Sequence, residues 1–591
     1  MVGLVATTAV ALLAACSSNS NSSGTTSATS ASAAATSAAS SAASSAAASS
    51  AANSGSASGT TAASSSAGSS SAGASSAASS GESSSAPQSS SSTPASGTFT
   101  MAVGEPDHLT PGRQTVAYDQ MGVLFAPLTW IEKNGALSYR AAESVTTTDR
   151  TTWTVKLRKG WTFQDGEPVD AHSYVDAWNA TAYAPNAWGD NGMMANIKGY
   201  SDLNPTSGKP TVKTMSGLKV IDDLTFSVTL VGPDNQFAYS LSQGNTAFFP
   251  MPASAFKNLD AYDKAPIGNG PYKMVGTQEP GKPMTVEEWD GYQGPHGLVK
   301  DIVFAPYTDM NTAYTDVQAD VIDAVFVPTD KYTSAPADFG SRLYAFPAPG
   351  IDYLGMPLSD KRFSDVRVRE AFSMAIDRNA VNKAIFGGLY DPATALTPVS
   401  MVGSPTNICD ACVFNPTKAK QLLADAGGWT GPLKIVYPGG LGSDQLFQAY
   451  ANQIRQNLGI ADVTAVPTTD WADYWDQLTK GKVDGLHFGH WGALVPTMAD
   501  TLRNLFTKGG GCYPCTTYSD PDVDSLLAKA AAALTPEAAN AGYVNVQKRV
   551  LQDFPIVPTF SDKYVYAVST KVTSFPPNEA VVDLTEVTVK S

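Results

Sequence analysis

The 591-residue sequence predicts an α/β protein of at least two lobes, carried at the end of a long low-complexity arm. Three observations predict it. From Gly97 onward, short stretches of alternating apolar and polar residues are interleaved with stretches whose apolar residues recur every three or four positions, the periods of strand and helix. That part is far longer than one ordinary domain and long enough for two or three cores. Before it, Ser17 to Ser96 has Glu82 as its only ionisable side chain and no aromatic residue, so it cannot bury enough apolar surface to offset its ordering entropy.

The chain opens with Val2 to Ala15, apolar apart from Gly3, Thr7 and Thr8. This run is too short to span a bilayer, which takes ~20 residues, and reads as an export segment with small residues before a cleavage point. It ends at Leu13-Ala14-Ala15-Cys16, which resembles the lipobox of bacterial lipoproteins. The resemblance implies a lipidated Cys16 as the first mature residue, and two or three acyl chains anchor stably where one does not. The first lysine or arginine is Arg113, so the positive charge that opens such segments is expected upstream of Met1. Residues 1–16 are thus expected to be a signal segment and 17–96 a disordered Ser/Ala tether. The net charge of -15 argues against nucleic acid or an anionic membrane surface as partner.

In the folded part, Thr152 to Arg158 (TWTVKLR) puts Trp153, Val155 and Leu157 on one face of a strand, and Thr225 to Leu230 does the same with Phe226, Val228 and Leu230. Further strands are expected from Leu433 (LKIVYP) and Ile302 (IVFAPY). A helix should follow Asn415 as cap with Pro416 at its first position, carrying Ala419, Leu422, Leu423 and Ala426 on one face and ending at Gly427. Val368, Ala371, Phe372, Ala375 and Ile376 form a second such stripe, and a third helix starts at Pro521 and Asp522. Arg367, Arg369 and Arg378, with Asp365 and Asp377, read as solvated or paired charges near helix ends. Gly268-Asn269-Gly270-Pro271-Tyr272 lacks the Lys-Ser/Thr of a phosphate loop and reads as a glycine turn.

The segment Leu157 to Trp178 (LRKGWTFQDGEPVDAHSYVDAW) resembles the most characteristic stretch of family 5 extracellular solute-binding proteins, the oligopeptide, dipeptide and nickel binding components of bacterial ABC importers. Other strings follow in family order: GEPDHLTP (Gly104 to Pro111), APIGNGPYKM (Ala265 to Met274), RFSDVRVREAFSMAIDRNAV (Arg362 to Val381), FNPTKAKQLLADAG (Phe414 to Gly427) and FPIVPTFSDKYVYAV (Phe554 to Val568). The resemblance covers essentially all of 97–591. It implies a two-lobed periplasmic-binding-protein-like α/β fold of the class II type with an extra inserted region. Lobe I would comprise 97–137, 216–345 and 556–591, the inserted region 138–215, and the other large lobe 346–555, with hinge crossings near 345 and 555. Solute would lie between lobes that close on it, and a monomer would deliver it to an ABC permease from the outer face of the cell membrane. No cofactor and no resident metal are expected.

In peptide-binding relatives, ligand backbone pairs with short strands of both lobes. The matching stretch here is Leu486 to Pro496 (LHFGHWGALVP). The resemblance implies Trp491 as pocket wall, Gly492 and Ala493 as backbone donors and acceptors, and a first-lobe strand within Leu124 to Trp130, including Leu128, Thr129 and Trp130. His487, His490 and Leu494 line the same stretch. Leu494 stands where the best-known oligopeptide binders place an aspartate for the peptide ammonium, and His487 or Phe488 where they place an arginine. Either another acid such as Asp470 or Asp500 serves, or the cleft reads internal backbone, or the solute is a sugar, a modified peptide or another polar molecule. His487 and His490, three apart on a strand, should face opposite ways, which argues against a shared metal.

An enzyme is not expected, because Gly-x-Ser-x-Gly and His-Glu-x-x-His are both missing. The competing class is a surface adhesion or structural module. Cys409-x-x-Cys412 and Cys512-x-x-Cys515 fit either two disulfides, in local or crossed pairing, or a four-thiolate zinc site. Export argues for disulfides, and local pairing needs no long-range proximity.

Overall fold

The computed structural model describes residues 95–576 and 582–590. Cys16 and the Ser/Ala tether lie outside the described residues, and among the described residues no helix is long and apolar enough to cross a membrane.

Within lobe I a four-stranded antiparallel meander forms from Ala142–Thr147, Thr152–Leu157, Thr225–Thr229 and Leu218–Asp222, in that spatial order. Alternation decides it: Trp153, Val155 and Leu157 are at most 3% exposed, while Thr152 and Lys156 face solvent. Because Thr225–Thr229 pairs with Thr152–Leu157, this sheet extends to Thr229, past the boundary expected at residue 215. Trp178 of the helix Ala171–Ala182 packs edge-on against Phe226 of the meander and Phe248 beyond it. The meander thus shares one core with the rest of lobe I.

An eleven-stranded sheet joins the lobes. From one edge its order is Val463–Pro467, Leu433–Tyr437, Leu486–Gly492, Leu343–Gly355, Ile556–Val568, Ala324–Phe326, Thr98–Val103, Asp301–Pro306, Met284–Glu288 and Tyr272–Met274, with Asp391–Pro392 pairing off this path. Leu343–Gly355, the outgoing hinge strand, and Ile556–Val568, the return hinge strand, are antiparallel neighbours at the places where crossings between the lobes are expected. Their register shifts between Pro347 and Ile351, so the crossing is kinked at its middle. Two further cores lie against this sheet, one of them running from Ala102 and Val317 of lobe I into the second large lobe.

Several helices begin where the sequence places them. The Asn415 side chain accepts from the Lys418 amide at 2.9 Å and starts Pro416–Asp425, and Gly427 follows with φ +97°. The stripe from Val368 to Ile376 behaves differently. Its helix, Val366–Met374, stops, and Asp377 caps a new one, Arg378–Ile385, by accepting from the Ala380 amide. Arg367 pairs with Asp365 at the surface as expected. Arg369 and Arg378 do not fit that expectation, being 8% and 3% exposed. Arg378 donates to the carbonyls of Pro558, Ser373 and Cys412, and Arg369 to those of Phe363, Ser364, Asp553 and Phe554. Their charge serves helix-end and return-strand carbonyls.

The glycine turn Gly268–Tyr272 docks the segment after the helix Tyr118–Leu124. Gly270 donates to the Leu124 carbonyl and Asn269 accepts from Ala126, each at 2.9 Å. A Cβ at Gly268 or Gly270 would collide with the Leu124–Phe125 backbone. Both cysteine pairs are local disulfides, Cys409–Cys412 and Cys512–Cys515.

Candidate functional site

Leu486–Gly492, the site strand, has the outgoing hinge strand beside it for its whole length, in register from Gly355 opposite His487 to Gly350 opposite Gly492. On its other side Leu433–Tyr437 pairs only with Leu486 and His487. The backbone direction then follows from alternation. The Ala493 amide donates to Pro349 on the hinge strand, whereas the Phe488 carbonyl, on the far side, accepts the Tyr474 hydroxyl. Odd-numbered residues therefore turn their amide and carbonyl toward the hinge, and His490 and Gly492 turn theirs toward an edge that has no neighbouring strand among the described residues.

Side chains alternate as well. His487 is 3% exposed, with Nε2 at 3.0 Å from the Cys515 carbonyl, and burial lowers its pKa. His490 lies on the opposite face, so the two histidines do not converge. Trp491 is 8% exposed, packs in one core with Cys512 and Cys515, and donates Nε1 to Asp500 at 2.8 Å. The second disulfide thus lies in the same core as Trp491. Burial pushes the Asp500 carboxyl up to about 6. Asp470 is occupied as a helix cap for the Asp473 amide.

Beyond Gly492, Ala493 is 7% exposed, and the Leu494 carbonyl abuts Gly244 of lobe I so closely that a Cβ there would collide with it. The neighbouring lobe I segment bridges as well: Asn235 donates to the Ala530 carbonyl at 2.7 Å, Gln236 accepts from the Ala499 amide, and Asp234 lies 3.7 Å from Arg503. The lobes therefore touch beside the site strand. In lobe I, Leu128 and Thr129 are fully buried, and Thr129 donates its hydroxyl to Ala238. Trp130 is half-buried under the Arg140 guanidinium, 4.6 Å from its ring.

Two residues at this place carry no sequence signal. His490 Nδ1 lies 3.0 Å from Asp352 Oδ1 on the outgoing hinge strand and 3.5 Å from Asp562 Oδ2 on the return hinge strand. Burial opposes charge on His490, yet Asp562 and Asp352 together raise it to about 9. Burial and the nearby Asp352 raise Asp562.

Residues 136–512 match the model of the middle region of bacterial extracellular solute-binding proteins, family 5. The chain belongs to that family, whose members bind solutes outside the cytoplasm and are not catalysts. Among curated proteins, the glutathione-binding protein GsiB of Escherichia coli K12 is 28% identical over 470 residues, covering 75% of this chain and 84% of GsiB. Among solved structures, the periplasmic murein tripeptide binding protein MppA in its unliganded open form superposes with a TM-score of 0.72 at 22% identity, over 84% of this chain and 97% of MppA. The Haemophilus influenzae OppA complex with RPPGFSPFR gives 0.65 at 22% identity, over 84% and 99%. These likenesses establish the two-lobed fold.

Proposed function

We propose that this protein captures peptides by adding their backbone to the free edge of the site strand and hands them to an ABC permease. The observation that carries the reading is the outward-turned amide and carbonyl of His490 and Gly492, which offer two rungs of a β-ladder to an extended ligand. The half-buried Gly492 has no side chain to hold that ligand off. Support also comes from relatives that bind glutathione, murein tripeptide or a nonapeptide. Leu494 offers no carboxylate for a peptide ammonium, so the reading favours recognition of internal backbone. The proposal extends to Cys16 as lipid anchor, on the lipobox order, and to 17–96 as tether, on the lack of core-forming side chains in that tract.

Mass spectrometry of solute released from freshly purified protein should identify peptides, and Trp491→Ala should weaken their binding by about 1–2 kcal/mol, the loss of an aromatic contact at a binding centre. Free and N-acetylated forms of one peptide should bind alike. A sugar as the only retained solute, or unchanged affinity in folded Trp491→Ala protein, moves the site or the ligand class elsewhere. Cys16→Ser should release the protein from membranes without altering its fold.

A further inference from the structure

We infer that Asp352, His490 and Asp562 form a divalent-cation site at the hinge. The three come from three different strands: the outgoing hinge strand, the site strand and the return hinge strand. Their ligand atoms all lie within 4.8 Å of one another. The two contacts of His490 Nδ1, 3.0 and 3.5 Å, match the spacing of donors around one ion: bonds of about 2.0–2.2 Å place neighbouring ligands about 3.0–3.5 Å apart.

A second feature points to a ligand. Asp562 Oδ1 is buried and has no hydrogen-bond partner, a costly state for a carboxylate oxygen. Asp562 is also seated by its surroundings. It lies over Gly350, where a Cβ would collide with Oδ2. The side chains of Asp352, His490 and Asp562 remain 22%, 24% and 16% exposed, so an ion has a way in. One imidazole and two carboxylates suit Mn²⁺, Co²⁺, Ni²⁺ or Zn²⁺ better than a soft ion. A metal takes the imidazole neutral and the carboxylates ionised, so the site should fill more readily as pH rises.

The test uses metal ions alone, without peptide, so its outcome is separable from that of peptide capture. Chelator-treated protein titrated with Zn²⁺ or Mn²⁺ should take up one ion per chain, with affinity rising up to about tenfold per pH unit from pH 6 to 8. Co²⁺ added to the wild-type protein should give visible absorption bands of nitrogen and carboxylate ligation. Asp562→Asn and His490→Gln should each lose stoichiometric binding, while His172→Ala, a surface histidine elsewhere, should retain it. Absence of stoichiometric binding by the wild-type protein at pH 8, or retention in both site variants, overturns the inference whether or not either variant folds well.

Discussion

In the two central strands of the lobe I meander, Thr152–Leu157 and Thr225–Thr229, every second side chain is buried, and the partners of each strand come from the same lobe. Trp153 and Val155 face Val228 and Phe226 across one ladder. At the hinge the pattern differs. The return hinge strand is buried at Ile556–Ser561 and again at Val565–Val568, with only Asp562, Lys563 and Tyr564 half-buried between. The outgoing strand is buried from Ala348 to Gly355 except at Asp352. Water reaches the middle of an otherwise dry crossing, and the charged residues sit there. The meander is built to be stable, whereas the hinge spends some of its stability on polar groups beside the solute edge. Mutations in the two regions should therefore separate stability from binding.

The largest effect is expected in the meander. Phe226→Ala empties a fully buried position stacked on Tyr174 and should cost about 3–5 kcal/mol of stability, read by denaturant unfolding, with solute affinity nearly unchanged in the folded protein. An equal loss of affinity would break the comparison. Gly350→Ala comes next. The new methyl group must displace Asp562, for which overpacking typically costs about 1–3 kcal/mol, and it should change solute affinity and metal uptake along with stability.

The pH dependence sharpens the contrast further. His490 is raised in the folded state, so its contribution is complete below about 6.5 and disappears as pH climbs through about 9. Asp562 is raised too, so its ionisation works against the fold as pH rises from its unfolded value. Chelated protein should lose up to about 1.4 kcal/mol of stability per pH unit between pH 7 and 9, and His490→Gln should flatten that slope. A slope as steep in His490→Gln would assign the titration to another group. The smallest change belongs to the local disulfides. Each closes a loop with a sequence separation of 3, for which chain entropy gives at most about 2 kcal/mol. Cys409→Ser/Cys412→Ser should unfold at slightly lower denaturant with peptide binding intact.

Much of the secondary structure was legible in the chain because its determinants are local. The alternation at Trp153, Val155 and Leu157, the Asn415-Pro416 start and the Gly427 stop each need only a few neighbouring residues. Family strings in order implied the two-lobed fold that the solved relatives share. Burial of Arg369 and Arg378 was not legible, since the carbonyls they serve include Asp553, Phe554 and Pro558, far along the chain.

By itself the sequence determined the α/β periodicity, the strand around Leu486 to Gly492 and the opposite facing of His487 and His490, all consequences of short-range geometry. Only the tertiary structure decided which edge of the site strand is free, that Trp491 is held by Asp500, and that His490 meets Asp352 and Asp562. Those facts depend on where distant strands lie side by side. Pairing across a sheet is fixed by the packing of whole lobes, and no residue's immediate neighbours in sequence encode it.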